Sequence, residues 1–190
     1  IVGPSNINSD GNRIYTERGY YDTAKDYAEL FDRSVVINGK STMTGDSMYY
    51  DKKNGKMHAY NNIVYNDKGN KNLLTGDYCE YDDTTGYAMA TKNAVVRDYS
   101  SPDTLFMHAD TFKIFTYNIR TDSVYRLVHG YHKARAFRSD VQSVCDSLKY
   151  DSKNKKMTMY GNPIVWNNNQ QLLGEEIQVF MCDSTIDSVH

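Results

Sequence analysis

The segment Gly45-Asp46-Ser47-Met48-Tyr49-Tyr50-Asp51, continued by Gly55, Ala59, Asn62 and Val64, returns 31 residues later as Gly76-Asp77-Tyr78-Cys79-Glu80-Tyr81-Asp82, continued by Gly86, Ala90, Asn93 and Val95. At an offset of 100 the frame recurs: Asp146, Ser147, Tyr150, Asp151, Lys153, Asn154, Lys156, Met157, Tyr160 and Asn162 match Asp46, Ser47, Tyr50, Asp51, Lys53, Asn54, Lys56, Met57, Tyr60 and Asn62. A repeating unit of this kind cannot bury its apolar face alone, so neighbouring copies must stack into one continuous body. The expectation is a single repeat-built domain over residues 16–190, preceded by a poorly structured lead over residues 1–15. Function in such a body belongs to a long surface, not to a point.

The unit reads as β-structure. Seventeen tyrosines and only three prolines suit pleated, half-buried strands. Asp46-Met48-Tyr50, Asp77-Cys79-Tyr81 and Asp146-Leu148-Tyr150 share one parity, which is strand spacing with one apolar face. Between successive strands lie Asp51-Lys52-Lys53-Asn54-Gly55, Asp82-Asp83-Thr84-Thr85-Gly86 and Asp151-Ser152-Lys153-Asn154-Lys155, which predict hairpins, with Gly at two tips supplying positive φ. An Asn then precedes a branched apolar residue (Asn62-Ile63-Val64, Asn93-Ala94-Val95, Asn162-Pro163-Ile164), where a change of apolar parity predicts a bulge or sharp bend. Weaker copies are expected at Tyr21–Ile37 and Leu172–Phe180, and an altered frame between residues 99 and 140, with turns at 100–103 and 120–123.

Several function classes lose support. A net charge of −2 gives no basic footprint for nucleic acid. No run approaches the roughly 18 apolar residues of a membrane-spanning helix. Asp46, Asp77, Asp110 and Asp146 recur once per unit, as a strand-start or turn carboxylate does and a catalytic group does not. Asp51, Asp82 and Asp151 read as turn initiators. The scattered histidines lack a third ligand at metal spacing, and no phosphate loop or nucleophile elbow is present. No enzyme activity, metal or cofactor is expected. Cys79 stands where Met48 and Leu148 stand and reads as a small buried hydrophobe; whether Cys145 and Cys182 meet is not settled by their spacing.

At Leu74-Thr75-Gly76-Asp77, Tyr81-Asp82, Gly86, Ala90 and Asn93-Ala94-Val95-Val96 the chain resembles the OstA/LptA-like family of lipopolysaccharide transport proteins, over roughly residues 20 to 182. Phe106–Thr111, Ala136–Asp140, Cys145–Leu148 and Pro163–Trp166 are similar to its longer OstA-like members. The resemblance implies an elongated open β-jellyroll of repeated hairpin units, a periplasmic location, lipopolysaccharide or lipid A as ligand, and stacking end to end with itself or other OstA-like domains by strand pairing. Alternation independently gives the sheet and an apolar face.

That face is read as Met48, Tyr50, Met57, Ala59, Val64, Cys79, Tyr81, Ala88, Ala90, Val95, Phe112, Leu148, Tyr150, Met157, Met159 and Ile164. It either lines an open groove for acyl chains, where methionines repack around variable lipid, or fills a closed core. Arg126, His132, Lys133, Arg135 and Arg138 place cations on successive strands, either as a solvated outer face or as holders of head-group phosphates. Two functions follow: a non-enzymatic lipopolysaccharide carrier or bridge for outer-membrane assembly, or a scaffold that associates through open β edges without lipid.

Overall fold

The computed structural model of the chain describes all residues except 10, 120, 168–169, 182–185 and 190. It is all-β, one antiparallel sheet built as a meander. The strands are β1 (Val2–Ser9), β2 (Asn12–Asp22), β3 (Tyr27–Asn38), β4 (Ser41–Asp51), β5 (Lys56–Asp67), β6 (Asn72–Asp82), β7 (Tyr87–Asp98), β8 (Leu105–Tyr117), β9 (Tyr125–Arg138), β10 (Val141–Asp151), β11 (Lys156–Tyr160), β12 (Ile164–Asn167), β13 (Gln170–Leu173), β14 (Glu176–Met181) and β15 (Ile186–Val189). Each of β1 to β10 pairs with its successor; β14 then pairs with β11 and β15 with β14, while β12 and β13 form a side hairpin on β10. The expected poorly structured lead differs from what is observed: residues 2–9 form β1, whose register on β2 runs from Val2↔Arg18 to Ser9↔Asn12.

Every long strand from β3 to β9 bends near its middle, and the bend has a local cause. On alternate strands two consecutive non-glycine residues take left-handed conformations: Asp32 and Arg33, Asn61 and Asn62, Lys92 and Asn93, His132 and Lys133. The extra residue they insert makes the register jump, as between Tyr60 and Ile63 on β5 opposite Gly76 and Tyr78 on β6. A bulge of this kind turns a strand sharply, and Asn tolerates the left-handed region better than most residues.

The bends align into one corner line, so the sheet has two arms. Arm A carries the hairpin tips at 51–56, 82–87 and 151–156; arm B carries the opposite strand ends. On arm A the inward rows are Leu30–Met48–Ala59–Cys79–Ala90–Phe112–Gly130–Leu148–Met159–Ile177 and, one step nearer the tips, Ala28–Tyr50–Met57–Tyr81–Ala88–Ile114–Val128–Tyr150–Met157–Val179. On arm B the inward row is Val36–Met43–Tyr65–Leu74–Val96–Met107–Ala136–Ser143–Val165. Most of these residues belong to one contiguous buried cluster, with Met48, Phe112, Leu148 and Met159 fully enclosed. At about 25 cal/mol per Å² of apolar area, this shared interior is the main source of stability.

Candidate functional site, the interior between the arms and its corner

The recurrent aspartates lie at the corner, not at strand starts. Asp46 Oδ2 accepts from Asn62 Nδ2 at 2.7 Å, and Arg33 Nη1 reaches Asp46 Oδ1 at 3.4 Å. One unit later Asp77 Oδ2 accepts from Asn93 Nδ2 at 3.0 Å, and Asp77 Oδ1 from the Asn62 N–H at 3.4 Å. Asp146 faces His132 Nδ1 at 3.8 Å. The repeated Asp and Asn are therefore one device: the bulge exposes backbone and side-chain donors, and the carboxylate of the neighbouring strand takes them. At the hairpin tips the expected turn chemistry is present. Asp51 Oδ1 accepts the Asn54 N–H at 3.1 Å, Asp82 Oδ1 the Thr84 N–H at 2.9 Å, and Asp151 Oδ1 the Lys153 N–H at 2.8 Å. The Asn54 side chain and N–H hold the Asp51 carboxyl below its ordinary value.

Most of the residues assigned to the apolar face occupy the inward rows of arm A. Val64, Val95 and Ile164 do not: they stand in register with Thr44, Thr75, His108 and Val144 on the outer side of arm B. The reason lies in which strand changes parity. On the Asn-bearing strands the four-residue step across the bulge leaves inward positions unchanged, as Met57, Ala59, Ile63 and Tyr65 on β5. The flip falls on the Asp-bearing strands, where Met43 and Gly45 give way to Met48 and Tyr50 on β4. The arm B lining of Met43, Ile63, Tyr65, Leu74, Ala94, Val96, Met107 and Val165 was therefore missed, although each stands one or two residues from a position singled out in the repeat or in the motifs around it.

The cationic candidates all lie on the one strand β9, not on successive strands, and they are not brought together. Arg138 is 4% exposed and donates to both oxygens of Asp140, at 2.5 and 2.7 Å, which raises its pKa. Arg126, on arm A, lies 4.0 Å from the buried Asp67 of arm B and spans the mouth between the arms. His132 and Lys133 are the left-handed corner pair of β9, and Arg135 is exposed on the outer side of arm B opposite His108. A single head-group cluster is thus replaced by four separate environments.

The interior is apolar and closely filled. A space of about 20 Å³ lies between Leu105, Ala136, Val141 and Ser143 of arm B and Met157, Met159, Val179 and Met181 of the other layer, against roughly 300–1,000 Å³ for ordinary ligand sites. The Ser143 hydroxyl faces it without a hydrogen-bond partner. Burial pushes the Cys79 thiol up to about 12 and the Cys145 thiol up to about 11, so neither is a ready nucleophile. Cys182 lies outside the described residues, as does Arg120 of the turn expected at 120–123. Among the described residues no group of three His, Cys, Asp or Glu stands at metal-binding range, and no helix is long and apolar enough to cross a membrane.

No family model and no curated protein matches this chain. Among solved structures it is similar to LptH of Pseudomonas aeruginosa, described as the LptA homologous periplasmic component of the conserved lipopolysaccharide transport device, with a TM-score of 0.53 and 16% sequence identity over 64% of this chain and 82% of that one. The bent antiparallel sheet, its continuous apolar interior and this structural likeness together identify the fold: the chain is an LptA-like β-jellyroll.

Proposed function

We propose that this chain is a periplasmic, non-enzymatic component of lipopolysaccharide transport that takes acyl chains between its two arms. The observation that carries the reading is the interior itself: apolar rows in register across β3 to β14, walled by both arms and continuous along the sheet. Its methionines, Met43, Met48, Met57, Met107, Met157 and Met159, suit a surface that must close on itself when empty and repack around lipid. The likeness to LptH supports the transport role. In the filled state the arms stand closed, so acyl chains enter by displacing side-chain contacts, and the Arg126–Asp67 pair at the mouth opens as they do.

Photo-crosslinking tests this. Benzoylphenylalanine at the inward positions Tyr65 and Tyr150 should crosslink to lipopolysaccharide, and the same residue at the outward Phe137 should not. Labelling equal at all three positions, or none at the inward ones, sinks the reading.

The filled interior also favours a second reading, a scaffold that joins other β-jellyroll domains through the edge strands β1 and β15 without lipid. It predicts concentration-dependent self-association by sedimentation together with no inward crosslink.

A further inference from the structure

The outer side of arm A carries an aromatic array that the interior does not need. Across β3 to β6, Phe31 packs on Tyr49 at a ring-centroid distance of 6.1 Å, Tyr49 on Tyr60 at 5.7 Å, and Tyr60 on Tyr78 at 5.1 Å. The first two pairs meet edge to face, at 82° and 89°, so ring faces are left open along the array. Cross-strand aromatic pairs stabilise a sheet, and that alone would account for a closed ladder. This one has a gap. In the row Phe31–Ser47–Tyr60–Tyr78 the second place holds Ser47, where the next unit has Tyr78. The Tyr49 ring, packed on both Phe31 and Tyr60, leans over the Ser47 place, and beside it lies a shallow, solvent-open cleft of about 330 Å³ lined by Tyr27, Ser47, Tyr49, His58 and Tyr60.

The chemistry around the cleft selects its ligand class. The adjacent row runs Glu29–Tyr49–His58–Glu80, with a carboxylate at each end, and Tyr78 donates to Glu80 Oε1 at 2.5 Å while lying 3.3 Å from His58 Nδ1. Carboxylates beside the cleft repel phosphate and other anions. Among the described residues, cations sit over the rings of Phe31, Phe106, Tyr125, Tyr131, Tyr160 and Phe180, and not over Tyr49 or Tyr60. Open aromatic faces beside hydroxyl, imidazole and carboxylate groups suit a ligand with one apolar C–H face and a rim of hydroxyls. The array spans three strand spacings, about 14 Å, so more than one ring of such a ligand fits along it.

We infer that this cleft binds an uncharged oligosaccharide, its sugar faces stacking on Tyr49 and Tyr60 and its hydroxyls bonding to Ser47, His58 and the flanking carboxylates. The site lies on the opposite side of the sheet from the interior and does not depend on lipid entering it.

Isothermal titration of the full chain with maltohexaose, cellohexaose and chitohexaose tests the inference. At least one should bind with Kd of about 1 mM or tighter. Tyr49→Ala and Tyr60→Ala should each weaken it about tenfold or more, the scale of losing one stacked ring. Tyr49→Phe and the outward but distant Phe137→Ala should keep it. Ser47→Tyr, which supplies the ring that the next unit carries, should abolish binding with an unchanged far-UV circular dichroism spectrum. No binding of any of the three sugars, or binding that survives Ser47→Tyr, overturns the inference.

Discussion

Residues 46–64 and 146–164 share one sequence frame, yet the first copy forms a continuous bent hairpin and the second a broken one. In the first, β5 runs unbroken through Asn61 and Asn62 into the buried Ile63. In the second, Gly161 and Asn162 take the same left-handed turn, but Pro163 stands where Ile63 stood, and the strand divides into β11 and β12. Proline has no N–H for a ladder. The division propagates: β12 pairs with β13 and β11 with β14, leaving Leu172 and Leu173 at 40% and 69% exposure. The change from Ile63 to Pro163 thus coincides with the change from a continuous bent body to a sheet divided into two ribbons.

The largest test of that contrast is Ile63→Pro, which should import the break into the first copy. It removes a buried side chain and an N–H from the middle of β5, and we expect a loss of about 3 kcal/mol or more in chemical denaturation. Pro163→Ile should change stability by only about 1 kcal/mol, because the second copy has already reorganised around its break. Equal effects at the two positions would end the comparison.

Packing of the rung that links the copies comes next. A Cβ on Gly130 would lie 2.9 Å from Phe112 Cε1 and 3.2 Å from Leu148 Cγ, so Gly130→Val should cost about 1–3 kcal/mol by overpacking, read from the urea midpoint.

The hairpin tips differ more subtly. Gly55 and Lys155 occupy matching places with φ of 65° and 49°, and each carbonyl accepts an N–H from the next tip or strand, of Asp83 and Met181 respectively. A Cβ at Gly55 would fall 1.8 Å from Asp83 Oδ1. Gly55→Ala should therefore cost about 1–2 kcal/mol, whereas Lys155→Gly should raise stability by about 0.5 kcal/mol through relief of the left-handed strain.

The smallest effect is in acid. Hydrogen bonds from Asn54 hold Asp51 below its ordinary pKa; at Asp151 burial acts upward, but bonds from Asn154 and Lys153 outweigh it and the net shift is again downward. A carboxylate with a lowered folded-state pKa contributes stability that is present above its unfolded value and lost as pH falls through the folded one. The denaturation midpoint should therefore drop as pH falls through and below the ordinary carboxylate range, and Asp51→Asn should make that drop shallower. A slope unchanged in Asp51→Asn would remove the tip aspartate from the account.

Much of this architecture was legible because it is local and repeated. Alternation around Met48, Cys79 and Leu148 gave the strands, the turns opened by Asp51, Asp82 and Asp151 gave the tips, and Asn62, Asn93 and Asn162 marked the bends. What went wrong was one step of parity: Val64, Val95 and Ile164 point outward because the inward phase shifts on the Asp-bearing strand. That shift is invisible along either strand alone, since it is a property of two strands in register across a bulge. The cation cluster failed for a similar reason. Arg126 meets Asp67 and Arg138 meets Asp140, and the first of these pairings exists only once the arms have folded over.

By itself the sequence determined the period, the β-class, the hairpin tips and the positions where the chain must bend, all consequences of backbone preference and side-chain alternation within about a dozen residues. Only the tertiary structure decided which side of each strand faces in, that the two arms close on a filled interior, and that a cleft lies beside Ser47 among the outer tyrosines, because each depends on contacts between residues brought together by strand register and by the fold at the corner.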